Sequence, residues 1–413
     1  MKNEMVYNTF GFMSFCKNRN ILSAYTELGD KVRVNVMKKK VLFAATVVKT
    51  HIMEFHIPYL KLFQDMGWET AVAARNDYEN PEDCVIPHCD TYYDVPFERL
   101  PWKVGNIGAY RQLKQIIDRE NFDIIHCHTP MGAMIARMAA IAARKKGTKV
   151  LYTAHGFHFY KGASPVHWLV YYPVEWLLAH VTDVLITMNK EDHALARRKM
   201  HAKRIEYIPG VGIDTKRFRA GTTGRTEKRQ ELGFTESDFL LLTVAEMTKN
   251  KNHSTVLKAL AQLKEEAEFS SLRYLICGRG ENAQNLQQEA QELGIAEHVV
   301  FLGYRHDVPD LLRCSDLFVF MSFREGLPVA LMEAMSSGMP VICSGIRGNT
   351  DLVDDGVEGM IAENTPEAVA QGILKLYRDP ELRQRYGIAA AEKVKQFDAE
   401  NVHRIMKDIY LSV

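Results

Sequence analysis

The chain has no unbroken apolar run of membrane-spanning length, no Cys-x-x-Cys pair and no excess of either charge. Each absence closes a class. Without roughly 20 consecutive apolar residues there is no candidate transmembrane helix. With Lys+Arg 52 against Asp+Glu 51, a formal net charge of +1, no global basic field points to nucleic acid. The seven cysteines (Cys16, Cys84, Cys89, Cys127, Cys277, Cys314 and Cys343) are odd in number, and several lie in apolar runs such as "LICG" and "VICSG". They read as reduced, mostly buried thiols of a cytosolic protein. The first 36 residues lack an uninterrupted signal-type apolar core, and "MKKKVLFAATVV" from Met37 looks like a natural start. Residues 1–36 are therefore expected to be an extension outside the fold.

What is present is a chain of 413 residues with 46% apolar content, too long for one ordinary core. Short β-branched runs alternate with helical patterns: "VLFAATVV", a helix over 54–66, "ETAVAA", a helix over 105–119, "FDIIHCH", a helix over 131–145, "KVLYTAH", an aromatic helix over 165–179, "DVLITM", a helix over 190–200 and "RIEYIP". The Gly-, Thr- and Arg-rich segment 209–226 breaks the rhythm and reads as a linker. The alternation restarts with "FLLLTVAEM", "LRYLICG", "HVVFLG", "LFVFMS" and "PVICSG", with helices between them. Three helical stretches follow, 365–378, 380–395 and 399–411. This predicts an α/β protein with two doubly wound parallel sheets facing a cleft, and ligands at the C-terminal strand ends. The expected boundaries are 37–215 for the first domain, 216–390 for the second, and 391–413 for a terminal helix crossing back to the first.

The densest chemistry follows "LFVFMS". Glu325 stands before Gly326-Leu327-Pro328, and Glu333 comes eight positions after Glu325. Pro328 suits the first helical position and Gly338 the helix end. The free amides of that helix, with Gly326 removing a side chain, form an anion socket suited to phosphate. Like charge keeps Glu325 off the anion, so it faces hydroxyls or a cation, and carboxylates accept well from sugar hydroxyls. A nucleotide-sugar would satisfy both acids and the socket. A capping acid plus a solvated helix acid meets the same spacing equally.

The Glu-x7-Glu pattern with Gly-Leu-Pro resembles the signature of the retaining family 4 glycosyltransferases, which have two Rossmann-like domains of the GT-B type. "IPGVGIDTKRF", "AEMTKNKNH", "LICGRGE", "VFLGYRHDVPDLL" and "CSDLFVFMS" fall in that family's order over about residues 40–395. "TAHGFHFYKG" is similar to bacterial exopolysaccharide and capsule glycosyltransferases of the EpsD type. The resemblance implies transfer of a hexose or N-acetylhexosamine from a nucleotide-sugar, with UDP favoured, to a lipid-linked or glycan acceptor. A 2-epimerase or phosphorylase on the same architecture, or a non-catalytic nucleotide-sugar binder, are the alternatives.

By the same resemblance, His155, Lys251 and Glu325 would be catalytic, with Lys251 neutralising the departing diphosphate. The donor would be held by Gly278, Arg279, Tyr304, Arg305, Glu325, Gly326, Leu327, Pro328 and Glu333, with Glu333 on the ribose. The family often has Gly-Arg where this chain has Ala245-Glu246, so a phosphate-clamping arginine is missing, and Arg279 or Arg324 is the substitute to look for. Thr50 and His51, replacing a Gly-Gly loop, would turn to the acceptor with His128 and His158.

His126 and His128 share one side of a strand. Without a third ligand nearby they are weak evidence for a metal, and the chain has no Asp-x-Asp pair to hold a metal diphosphate. No metal and no cofactor are expected. "SPVHWLVYYPVEWLLAH" (164–180) reads first as a core helix and second as a membrane-interface segment. Lys38–Lys40, Arg144–Lys146 and Arg197–Lys199 with Lys203 and Arg204 are candidate lipid contacts, although such clusters are more often solvated faces. The resemblance favours the second reading, a peripheral protein on the inner face of the cell membrane.

Overall fold

The structure is a computed structural model and describes residues 38–413 apart from Pro101 and Thr222. The expected extension, residues 1–36, lies outside the described residues, as does Cys16. The strands of the first sheet are β1 (Lys40–Val47), β2 (Glu69–Arg75), β3 (Thr91–Asp94), β4 (Ile124–His128), β5 (Lys149–Ala154), β6 (Val184–Thr187) and β7 (Arg204–Tyr207). Those of the second are β8 (Phe239–Val244), β9 (Leu272–Cys277), β10 (Val299–Gly303), β11 (Leu317–Phe320), β12 (Val341–Ser344) and β13 (Gly359–Ala362). The first sheet runs 3-2-1-4-5-6-7 and the second 10-9-8-11-12-13. Every strand pair is parallel. Both sheets belong to one compact unit, Lys40–Val413.

The central strands are apolar because both faces are covered. β1 is buried from Val41 to Val47 and β4 throughout. The strands missing from the sequence reading are β3 and β13. Both are four-residue edge strands with half-exposed residues, so neither has the continuous apolar signature of an inner strand. The order reverses between β1 and β4 in the first sheet, and between β8 and β11 in the second. Loops leaving those strands diverge to opposite faces and open a crevice at the C-terminal edge.

Three local expectations are corrected. The stretch expected as a helix from 54 begins earlier, with a π-helical turn at Val48–Ile52 that runs on into Ile57–Asp65. The 131–145 helix is two pieces, Pro130–Ala139 and Ile141–Lys145. The presumed linker holds a helix, Thr215–Ala220, because the Asp214 carboxylate accepts from the Arg217 amide at 2.9 Å. Its arm is also tied to the chain's second crossing. The Ile213 amide donates to the Phe397 carbonyl at 3.1 Å, and Ala399 donates back to Ile213 at 2.9 Å. The last helix, Ala399–Leu411, then buries Val402, Met406, Ile409 and Tyr410 with Phe43 and Phe63 on the first sheet.

The helix Pro165–Ala179 meets the expectation of a core helix on one face only, where Trp168, Tyr171 and Tyr172 pack on the first sheet's core. Val166, Leu169, Val170, Val174, Trp176 and Leu177 are all exposed. It is anchored by Leu178 and Ala179, and by Glu175, which pairs with buried Arg137 at 2.9 Å. Among the described residues no helix is long and apolar enough to cross a membrane.

Candidate functional site

The two switch points put two residue sets at strand ends. In the second sheet, the loop after β8 carries Lys251 and the loop after β11 carries Glu325. Lys251 Nζ donates to Glu325 Oε1 at 2.7 Å in a part-buried pair. The loops are stitched together, since Phe323 N donates to the Asn250 carbonyl at 2.8 Å and Asn250 Nδ2 to the Arg324 carbonyl at 2.9 Å. Lys251 also lies over the Phe320 ring at 5.3 Å. A lysine is thus held by an acid at the C-terminal strand ends of the second sheet.

The helix after this turn runs Val329–Ser336. Pro328 is its extended N-cap (φ −77°, ψ 118°), one position before the place expected for it. The first amides of the helix have no carbonyl one turn back, so the turn presents donors to the cleft. Glu333, on the same helix, has its pKa pushed up to about 7 by burial, which a neighbouring Arg217 partly opposes. It is a desolvated carboxylate in need of hydrogen-bond donors.

Backbones of the two lobes meet at this turn. A Cβ on Gly326 would fall 2.1 Å from the His155 carbonyl oxygen, and one on Gly348 (φ +83°) would fall 2.5 Å from the Gly326 carbonyl oxygen. Only glycine permits this approach. Arg347 locks the contact. Its Nη1 donates to Asp192 Oδ1 at 2.7 Å and to the Phe157 carbonyl at 3.1 Å, and its Nε donates to the Glu325 carbonyl at 3.2 Å. Burial raises the pKa of Asp192 and Arg347 opposes that rise. Neither Arg347 nor Asp192 was singled out in the sequence; "SGIRGN" and "NKEDH" have no distinctive spacing.

The remaining donor-side residues divide. Gly278 lets β9 pass the β8 loop, since a Cβ there would lie 2.0 Å from the Ala245 carbonyl oxygen. Arg279 lies 5.7 Å from the ring of exposed Tyr304, and Glu246 is exposed. The Arg305 side chain pairs with Asp307, through Nε at 2.8 Å and Nη2 at 2.5 Å.

On the first lobe, Thr50, His51 and His158 line a cavity of about 360 Å³ with Arg99, Leu100 and Tyr171. His158 stacks on Tyr171 at 4.5 Å, and its pKa is lowered to about 4 by burial and by nearby Arg324, His167 and Arg347. His128 does not reach this surface. It is 1% exposed, beneath the cleft floor and stacked on Phe43, because β4 is an inner strand covered on both faces. That corrects the expectation that it faces an acceptor. His126 is a packing residue, bonded to Tyr410 Oη at 2.8 Å and Thr153 Oγ1 at 2.9 Å. Around His128 the fold gathers three histidines from elsewhere in sequence, His51, His56 and His155.

Two Rossmann-like parallel sheets with a Lys–Glu pair and an open helix start between them define a glycosyltransferase of the GT-B fold. The sequence comparisons place the chain further. It belongs to the group 1 glycosyltransferases: the pattern "Glycosyl transferases group 1" matches residues 224–393 and "Glycosyl transferase 4-like domain" matches 59–210. It is 40% identical to "Putative glycosyltransferase EpsD" of Bacillus subtilis (strain 168), over 91% of this chain and 97% of that protein. It is 28% identical to the "UDP-Gal:alpha-D-GlcNAc-diphosphoundecaprenol alpha-1,3-galactosyltransferase" of Escherichia coli, over 76% of this chain and 83% of that one. Among solved structures, HepE of Anabaena in complex with UDP-glucose shares the fold, with a TM-score of 0.73 at 20% identity over 91% of this chain and 100% of that one.

Proposed function

We propose that the protein is a retaining hexosyltransferase. It moves a hexose or N-acetylhexosamine from a UDP-sugar to a lipid-linked or glycan acceptor in exopolysaccharide or capsule biosynthesis. The observation that carries this reading is the Lys251–Glu325 pair, 2.7 Å apart, beside an open helix start and an unpaired, desolvated Glu333. The diphosphate sits on the amides of Gly326, Leu327 and the first helical turn, after the extended Pro328. Glu333 takes the ribose hydroxyls, and Tyr304 offers its exposed ring to the base while Gly278, Arg279 and the Arg305 backbone line the same edge.

Glu325 exchanges Lys251 for hydroxyls of the transferred sugar, which frees Lys251 to meet the charge that grows on the departing diphosphate. That positive charge comes from Lys251 and the helix amides, so no ion on the diphosphate is required by this account. Nδ1 of His155 is the ring nitrogen left for the sugar, since Nε2 is buried. The acceptor enters by the cavity lined with Thr50, His51 and His158.

That cavity includes Tyr171 of the Pro165–Ala179 helix, whose outer face is apolar and exposed. Such a face lies in the membrane interface and brings a lipid-linked acceptor to the cavity mouth. The basic clusters contribute less, because Arg144 and Lys203 are already paired with Asp183 and Lys40 with Glu120. The names of the Escherichia coli relative and the Anabaena structure, with UDP-galactose, a diphosphoundecaprenol acceptor and UDP-glucose, support this choice of donor and acceptor.

The test is incubation with labelled UDP- and GDP-sugars and lipid-diphosphate-linked acceptors, followed by the anomeric configuration of the product. Conversion of the nucleotide-sugar without an acceptor would replace this reading with epimerisation. Binding without turnover would replace it with a carrier role.

A further inference from the structure

Beneath the cleft floor, four histidines converge on one point. His51 leaves the π-helical turn after β1, His56 precedes the Ile57–Asp65 helix, His128 ends β4 and His155 follows β5. One ring nitrogen from each lies within 4.8 Å of the others. His51, His56 and His128 are buried, at 8%, 3% and 1% exposure. Nε2 of His51, both ring nitrogens of His56 and of His128, and Nε2 of His155 are sealed from solvent with no hydrogen-bond partner. Six orphaned nitrogens in one place are anomalous, since buried polar atoms are nearly always paired. His126, on the same strand as His128, has both nitrogens bonded.

We propose that His51, His56, His128 and His155 form a structural site for a divalent transition ion, with Zn²⁺ as the first-choice occupant. Imidazole suits this class of ion, and closed four-coordination by protein ligands is the arrangement of a structural zinc site. Zinc–nitrogen bonds of about 2.0–2.1 Å place ligand atoms roughly 3.4 Å apart at a tetrahedron's edges, so the rings need only close slightly around the ion. His56, His128 and His155 border a cavity of about 20 Å³, enough for one water-sized guest. A neutral imidazole offers one ring nitrogen lone pair to such an ion.

The ligands stand at the ends of the neighbouring strands β4 and β5 and on the segment that follows β1, the next strand in the sheet. An ion there would clamp the first sheet at its switch point and fix the His155 ring, whose carbonyl abuts Gly326. The site is independent of the donor reading, because it is defined by metal content and not by turnover.

The test uses the full chain without a histidine tag. Chelator-stripped protein is loaded with Zn²⁺, desalted and assayed by plasma mass spectrometry, and its melting temperature is compared with and without the ion. Expected are one equivalent per chain, a raised melting temperature, and, with Co²⁺, the intense visible bands of a four-coordinate ion. The double variant His56→Gln/His128→Gln should lose affinity by more than about a hundredfold, more than the loss of a ligand's own hydrogen-bond partner costs. His88→Asn, at an exposed histidine, should keep the equivalent. Substoichiometric zinc with no thermal shift in the wild-type chain would overturn the proposal, whether or not the variants fold. So would unchanged binding in the double variant, or only the weak bands of six-coordinate cobalt. In those cases the space holds water.

Discussion

Replacing Glu333 by Gln should stabilise the ligand-free protein and weaken donor binding at the same time. In the fold, burial pushes this carboxyl to about 7 from its ordinary 4.5, and Arg217 only partly offsets the cost. A group whose pKa is raised on folding holds its proton longer in the native state than in the unfolded one. Stability therefore falls as pH rises through the interval from 4.5 to about 7, and stays low above it. The full gap is worth roughly 3 kcal/mol, an upper value because the cleft admits water. Gln keeps the shape and cannot ionise. The variant should match wild type near pH 4.5, gain on it up to about pH 7, and melt several degrees higher at pH 8. UDP affinity at pH 8 should drop by about tenfold or more, the worth of hydrogen bonds to a charged acceptor. The assays are denaturation across pH and calorimetric UDP binding. If the variant melts with wild type at every pH, or below it at pH 8, Glu333 is solvated or paired in solution and the reasoning fails.

Lys251→Met should lower the transfer rate by about 10²–10³ while leaving UDP binding comparatively intact; equal losses in rate and binding would make Lys251 a ground-state contact only. Gly326→Ala puts a methyl carbon 2.1 Å from the His155 carbonyl, so the lobes must part. We expect a stability loss of about 1–3 kcal/mol in denaturant titration together with failure to bind UDP, and a folded variant that still binds would count against close lobe contact. Leu169→Glu with Leu177→Glu, both on exposed positions, should abolish sedimentation with anionic vesicles and change stability by no more than about 0.5 kcal/mol each. Undiminished vesicle binding would remove the helix from the membrane interface.

The parts of the fold legible in the sequence are those where one local signal decides the outcome. Inner parallel strands such as Leu317–Phe320 are continuous apolar runs because both faces are covered, and the Gly-Leu-Pro turn carries its own geometry. Edge strands such as Thr91–Asp94 have no such signal. The helix at Thr215–Ala220 was hidden in a Gly- and Thr-rich stretch because its cap, Asp214, is an ordinary residue until the chain folds back on Phe397. The exposed face of Pro165–Ala179 reads as core in the sequence because apolar content does not tell which face of a helix is covered.

The candidate site divides the same way. Glu325, Gly326 and Glu333 are close in sequence and could be read together. Arg347 and Asp192 are 155 residues apart, and His51, His56, His128 and His155 come from loops and strand ends that only the 2-1-4-5 strand order makes neighbours. His128 shows why this matters. A histidine at the C-terminal end of a parallel strand is expected at the crevice, but β4 lies beside the switch point, where the rings of His51 and His56 from the segment after β1 pack on His128 at 5.8 and 3.8 Å. The π-helical turn of that segment carries His51 and leads on to His56, so the feature that takes His128 from the acceptor also gives it two of its three histidine neighbours.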